Sequence, residues 1–488
     1  MVGGPILYTV GIDIGSTHIK ACLLGERKDI LSQVNVEHEK VEYANQGSVY
    51  DCENLWDKVT FCLKSVLTGI DTTSVKAIGI TSMAEAGVPI GYDGKALYPI
   101  IPWSDNSSYA EEFPKHLQGY PLYQKTGLLW HPKYTINRLL FLRKEKPEIF
   151  NQMKCWLSVS DYVLFCLTGE MKTDPSLASR TMLYNIISRE WDRELLEFAQ
   201  MEGKLPEVMN KGAARPVILP HIANKFGLPY DVIVNCGGHD HLLAAKAEEI
   251  EIGKQILNSM GTSEVFIGLL NKPLLTKECY ELGISQGCFE DVYYWMCNLP
   301  TSGASIEWIR SVLSIQEKID YSLFLRPAKQ LPSKVLYFPF LNSGGTHRRH
   351  TVLEGAFLGL SSKTGREDLI QGIYEGIALE IRFILETILK SEMVNSIEII
   401  SVGGGTKNTV LMQTKANVTG ISYWVSKQTQ ATVMGAAITA MEAVGYQGLK
   451  YTEKRLEIRP MVKYKEAYDE KYNRYNAYYE RLWNEGME

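Results

Sequence analysis

The chain has 488 residues, 45% hydrophobic and 22% charged, which is too long for one core and ordinary in composition for a globular protein. A net charge of −5 supplies no basic footprint for nucleic acid, so no nucleic-acid partner is expected. No run of about 18 apolar residues offers a membrane span, and no basic stretch before the first apolar run suggests a signal peptide. Nine cysteines without a C-x-x-C pair read as reduced, mostly buried thiols of a cytoplasmic protein.

In chain order, Leu7–Val10 and Ile19–Leu24 flank Gly11-Ile12-Asp13-Ile14-Gly15-Ser16-Thr17, predicting strand, tight turn, strand over 7–24. A second strand is predicted over 75–82 and helices over 133–147, 151–168 and 190–200. Asp231–Asn235 reads as a strand ending in Cys236-Gly237-Gly238-His239-Asp240, with a helix from about His241 to Glu249. The pattern then restarts. Strands at 255–258 and 264–270 flank Ser259-Met260-Gly261-Thr262-Ser263, and a third covers 291–297. A long helix spans 366–391, a strand covers Ile397–Val402 and stops at Gly403-Gly404-Gly405, and an Ala-rich buried helix spans Gln430–Val444. Tyr464, Tyr468, Tyr472, Tyr475 and Tyr479 fall on one face of a final helix, a spacing that predicts packing. The restart divides the chain into domains at 1–250 and 251–488, each opening with the same kind of turn.

Glycine followed by small hydroxyl residues leaves backbone amides and hydroxyls free to wrap a phosphate. Two such turns on two halves imply an anion held in a cleft. Only the first carries an acid, Asp13, which suits one Mg²⁺ bridging nucleotide phosphates; Ser259 holds the equivalent place in the second. Asp13 could instead cap its turn or pair with Lys20. Asp240 lies past a Gly-Gly bend at the carboxyl end of a strand, where α/β sheets place ligands. It reads either as an N-cap or as a base accepting a hydroxyl proton during phosphoryl transfer. His239 and His241 flank it and are candidates to contact substrate. Met83 and Glu85 follow the strand at 75–82, and Trp103 and Asp105 follow Pro99–Pro102; acids beside an aromatic ring are the chemistry of a sugar pocket. Neither a Walker A pattern nor a G-x-G-x-x-G fingerprint is present.

Taken in order, these segments resemble the FGGY carbohydrate kinases of the sugar kinase, Hsp70 and actin superfamily. Gly11–Thr17 resembles the first phosphate loop, Ile101–Asp105 the Trp-x-Asp substrate segment, and Arg138–Leu142 the Lys-x-x-Trp-Leu helix. Asp161-Tyr162 with Leu167-Thr168-Gly169, then Thr173–Ser176 and Ala178-Ser179, resemble the following run. Gly238–Asp240 resembles the catalytic segment, Gly261-Thr262-Ser263 the second phosphate loop, and Gly355–Leu360 the start of the second signature. Gly403–Asn408, Gln413 and Gly435-Ala436-Ala437 resemble nucleotide-side elements. Glu85 matches the glutamate of the glycerol kinase Arg-Glu pair, but Ala84 replaces its arginine.

The resemblance implies an α/β protein of two ribonuclease-H-like, actin-like ATPase domains around a deep interdomain cleft, with sugar mainly on the first and ATP mainly on the second. It implies Asp240 as base and Asp13 acting through Mg²⁺. Gly15, Ser16, Thr17, Gly261 and Thr262 would lie at the phosphates, and Gly404, Gly405 and Asn408 at the adenosine. The substrate would be a small sugar, sugar acid or polyol, and the assembly a homodimer. A catalytically silent sugar sensor and an actin-like ATPase with a protein partner are alternatives on the same fold.

Overall fold

The computed structural model describes all residues except 1–6, 44–46, 105–107, 211, 315–318, 327–329, 342–344, 346–352, 392, 395–396, 447–454 and 485–488. Two sheets dominate it. The first is built from β1 (Tyr8–Ile14), β2 (His18–Leu24), β3 (Ile30–Glu37), β4 (Val75–Ser82) and β5 (Ile233–His239), in the order β5-β4-β1-β2-β3. Strands β1, β4 and β5 run parallel, and β2 and β3 complete an antiparallel meander with β1. The second sheet contains β6 (Gln255–Met260), β7 (Glu264–Leu270), β8 (Ser285–Phe289), β9 (Val292–Leu299), β10 (Glu398–Val402), β11 (Tyr423–Val425) and β12 (Leu456–Ile458). Its order is β8-β9-β7-β6-β10-β11-β12, with β6, β10 and β11 parallel. The run β11-β10-β6-β7-β9 therefore repeats the first sheet strand for strand. The duplication is one of topology, carried by the two strand-turn-strand openings.

Parallel strands buried on both faces read as unbroken apolar runs. In β1, Val10, Ile12 and Ile14 are buried together with the alternate residues. Helix α1 (Cys52–Leu67) covers one face of the first sheet, burying Leu55, Val59, Leu63 and Val66. In the second half, the buried stripe of α4 (Arg366–Lys390), including Ile370, Ile373, Ile377, Ile381 and Ile384, forms the core with β7 and β9. Helix α7 (Lys465–Tyr479) packs Tyr468, Tyr472, Tyr475 and Tyr479 onto Phe338, Phe340 and Leu379, so the tyrosine stripe is packing.

The two halves meet through exchanged helices. Helix α2 (Asp240–Ala247) follows β5 yet buries Leu242, Leu243 and Ala244 in a cluster with Leu257, Ile267 and Ile400 of the second sheet. Helix α6 (Ala431–Ala443) follows β11 yet lies across β1, β4 and β5 of the first. Backbones nearly touch there. A Cβ on Gly11 or Gly79 would collide with the carbonyl oxygen of Val433 or Ala436, and one on Gly435 with that of Leu243.

Three expectations differ from the structure. The helix read over 151–168 is a strand, Met153–Ser158, followed by a helix, Val159–Thr168. Ser158 and Asp161 form a capping box at the break, a signal present in the sequence at its usual spacing. The strand at 231–235 continues to His239 through a bulge between Cys236 and Gly238, and Gly238 takes φ +102°. The third is an omission: no element was expected at Ser285–Phe289, which is a strand. Among the described residues no helix is long and apolar enough to cross a membrane, and all nine cysteines are unpaired.

Substituting Gly435 by alanine isolates the helix crossing. Alanine gains about 1 kcal/mol in helix propensity, whereas overpacking costs about 1–3 kcal/mol or more. A net loss of stability is expected in urea unfolding; an unchanged or raised midpoint would show that α2 and α6 separate at no cost.

Candidate active site at the carboxyl edge of the first sheet

Three adjacent parallel strands deliver three carboxylates to one edge. Asp13 is paired with Thr81 near the end of β1, Glu85 follows β4, and Asp240 follows β5. Since β1 and β5 flank β4, their backbones lie roughly 10 Å apart, two strand spacings. Asp13 is 6% exposed and its carboxyl is pushed up to about 7, first by burial and then by Asp240, with Lys20 opposing. Among the described residues no cation forms an ion pair with this buried acid, so the position fits Mg²⁺.

Asp240 is the first residue of α2; the N-cap is His239, so the expected capping role for Asp240 does not hold. One oxygen of Asp240, Oδ1, accepts from the His241 amide at 2.7 Å and lies 3.2 Å from His239 Nε2. Among the described residues the second oxygen has no protein partner. His239, Asp240 and His241 bring one ligand atom each to within 4.8 Å of one another. His239 is buried and held well below its usual range by desolvation, so its ring is neutral. The strand end is fixed from both sides. Thr81 Oγ1 donates to the Gly238 carbonyl at 2.6 Å, and the His239 amide donates to Ser176 Oγ at 2.9 Å. Ser176 in turn donates to Asp174 Oδ1 at 2.5 Å.

The first phosphate turn is tied back through its carbonyls. Gly15 N donates to His18 O at 2.9 Å, His38 Nδ1 lies 2.9 Å from Gly15 O, and the Tyr50 hydroxyl donates to Ser16 O at 2.9 Å. The His38 amide donates to Thr17 O at 2.8 Å, and His38 and Tyr50 stack at 4.3 Å. With the carbonyls engaged behind it, the turn presents amides, the half-exposed side chain of Ser16 and the exposed side chain of Thr17 forward. The second turn rests on helix α3 (Gly303–Leu313). Gly303 abuts the Gly261 carbonyl, and the Ala304 amide donates to Thr262 O at 2.9 Å. Gly261 and Thr262 are exposed.

Beneath this turn lies a fully buried network. Lys415 Nζ is 2.6 Å from Glu264 and 2.7 Å from Asn258, and Ser302 donates to Glu264 at 2.5 Å. Gly403 packs against the backbone of Met260, Gly405 against its side chain, and Gly404 has open space where a Cβ would lie. The glycine run thus adjoins the second turn. Asn408 differs from expectation: it is 2% exposed, caps helix α5 (Thr409–Thr419) by accepting from the Leu411 amide, and donates to the Tyr374 hydroxyl. Its side chain is engaged by the helix it caps and by Tyr374.

On the sugar side, Glu85 adopts φ +64° and is buried against Arg180, whose Nε and Nη2 both donate to Glu85 Oε1 at 2.8 and 2.5 Å. The arginine absent at position 84 is supplied from 95 residues away. Trp103 is 42% exposed, and its carbonyl accepts from Arg138 Nη2 at 2.6 Å. Buried Arg138 also donates to the carbonyls of Pro102, Pro132, Lys133 and Tyr134, joining two segments of the pocket wall. Met83 packs in the core of the first half, a position that explains its apolar character without a ligand. Asp105 lies outside the described residues. Arg180, Lys133, Tyr134 and Tyr294 escaped the sequence reading. They carry no local motif, and only the fold brings them to Glu85.

The model of the N-terminal domain of the FGGY family of carbohydrate kinases matches residues 8–246, and that of the C-terminal domain matches 256–444. The chain belongs to the FGGY family of carbohydrate kinases. It is an ATP-dependent carbohydrate kinase. It is 25% identical over 446 residues to the xylulose kinase of Staphylococcus xylosus, spanning 90% of this chain and 91% of that one. It is 24% identical over 449 residues to the L-fuculokinase of Salmonella typhi, spanning 89% and 92%. Among solved structures, the xyloylose kinase from Brucella ovis superposes with a TM-score of 0.90 at 23% identity over 97% and 99% of the two chains. The Plasmodium falciparum glycerol kinase with ADP gives 0.85 at 19% identity over 99% of both. The fold is that of the actin-like ATPases, in two α/β domains.

Asp174 supplies a pH test of the strand support. It is buried, and its carboxyl is pushed up to about 7 by desolvation, against the Ser176 hydrogen bonds. A carboxyl raised in the folded state holds its proton longer there than in the unfolded chain. Its ionisation therefore costs stability progressively from about pH 4 to 7, at up to about 1.4 kcal/mol per unit. The stability of the native protein relative to Asp174→Asn is expected to fall over that interval in urea titrations; a difference flat in pH would refute it.

Proposed function

We propose that the chain moves the γ-phosphoryl group of ATP to a hydroxyl of a small polyhydroxylated substrate, with Asp240 as the base. The observation that carries this reading is the delivery of Asp13, Glu85 and Asp240 to one edge of the first sheet, with a glycine-hydroxyl turn opening each of the two sheets. The free oxygen of Asp240 accepts the substrate hydroxyl proton, while His241 N and His239 hold the other. Asp13 holds Mg²⁺, which when bound neutralises charge on the nucleotide phosphates. Gly15, Ser16 and Thr17 on one turn and Gly261 and Thr262 on the other supply backbone donors, and Gly404 and Gly405 leave room for the adenosine. Glu85, with Arg180, and Trp103 orient the substrate.

The domains divide near residue 250, with sugar on the first and nucleotide mainly on the second. The protein acts in the cytoplasm as a homodimer. Both carboxylates needed for transfer are in place, which argues against a catalytically silent sensor.

Asp240→Asn is expected to lower turnover by roughly 10²–10⁴-fold while nucleotide affinity survives. Retained ADP release from Mg²⁺-ATP with substrate would remove the base assignment. Asp13→Ala is expected to raise the Mg²⁺ concentration needed for half-maximal rate. An unchanged Mg²⁺ response would move the metal elsewhere.

A further inference from the structure

Among the described residues, the surroundings of Glu85 carry more positive charge than that one acid can match. Arg180 Cζ lies 5.0 Å from the centre of the Tyr134 ring, and Lys133 Nζ lies 5.3 Å from the centre of the same ring. Arg180 is 3% exposed and spends Nε and Nη2 on Glu85, but its buried Nη1 has no partner among the described residues. The Lys133 ammonium forms neither an ion pair nor a hydrogen bond among them. Among the described residues Glu85 thus faces two cations, Arg180 and Lys133, while the Arg138 guanidinium is taken up by backbone carbonyls. His131 adds no charge at neutral pH, since burial and Lys133 push it down to about 4. Lys133 itself is pushed down to about 8 by burial and by Arg180, and it remains mostly protonated at pH 7. A half-buried ammonium beside a guanidinium is stabilised by an anion that arrives with the ligand.

Resting on the reading of this pocket as the substrate site, we infer that the substrate is a polyhydroxylated monocarboxylate, its carboxylate held by Lys133 and Arg180 Nη1 and a distal hydroxyl presented to Asp240. Asp13 and Asp240 repel a negative group at the transfer end, so charge alone orients such a ligand. A phosphate ester shares the anionic chemistry and brings nearly two charges, so it is the competing ligand in the test.

The test compares four- to six-carbon aldonates and uronates with the neutral alditol or sugar of equal length and with the corresponding sugar phosphate. ADP release gives kcat/KM, and calorimetry gives Kd in parallel. An acid is expected to exceed its neutral counterpart by about 10–100-fold, the size of a charge-assisted hydrogen bond. Lys133→Met is expected to bring that ratio close to one, and Lys133→Arg to restore most of it, with nucleotide affinity and Tm unchanged as controls for folding. Preference for a neutral compound or a sugar phosphate overturns the inference, as does an acid preference indifferent to Lys133→Met. Silence in ADP release with every compound fails the kinase reading alone. The calorimetric arm then decides: acid binding that Lys133→Met abolishes sustains the carboxylate site, and its absence overturns it.

Discussion

The structure depends on the crossing of α2 and α6 between the two sheets. Each helix grows from the fifth strand of one ribonuclease-H-like unit and packs on the sheet of the other. The approach is set by main-chain atoms, because Gly11, Gly79 and Gly435 leave no side chain between the layers. Close packing of this kind transmits displacement rather than absorbing it. Asp240 is the first residue of α2, so the group proposed as base is fixed to the contact that joins the halves. A shift of one sheet against the other moves that residue directly.

A second constraint is charge. The carboxyl edge of the first sheet gathers acids in a poorly hydrated space, and burial together with mutual repulsion raises Asp13. Such a cluster is costly unless cations arrive. The protein itself supplies Arg180 to Glu85, whereas Asp13, with Lys20 across the strand pair, is the proposed Mg²⁺ ligand. Under the second turn the balance is complete without a ligand: Glu264 and Lys415 are wholly buried, and Asn258 and Ser302 satisfy their remaining positions. A pair enclosed in this way fixes geometry more than it adds stability. Here the fixed element is the β6–β7 turn, with α3 and α5 held to it.

The two turns are rigid for different reasons. The first is held by the stacked His38 and Tyr50, which take up its carbonyls from behind. The second is held by the N-terminus of α3 and the buried network beneath it. Both present preorganised donors at little entropic cost on binding, which is what phosphoryl transfer requires of a protein that contributes mainly position and charge.

Local chemistry made the turns, the long helices and the positions of Asp13 and Asp240 legible in the sequence. Each depends on residues adjacent in the chain: glycine and hydroxyl residues in a turn, apolar residues at helical spacing, an acid at a strand end. The break at Ser158 was encoded just as locally, but an apolar stretch suits a buried strand and a buried helix equally. The tertiary structure decided what lies across the chain. It placed Arg180 on Glu85, Lys133 near both, the side chain of Asn408 against Tyr374, and α6 on the sheet of the other half. Those pairings are set by strand order and helix exchange over separations of tens to hundreds of residues, and no local pattern encodes them.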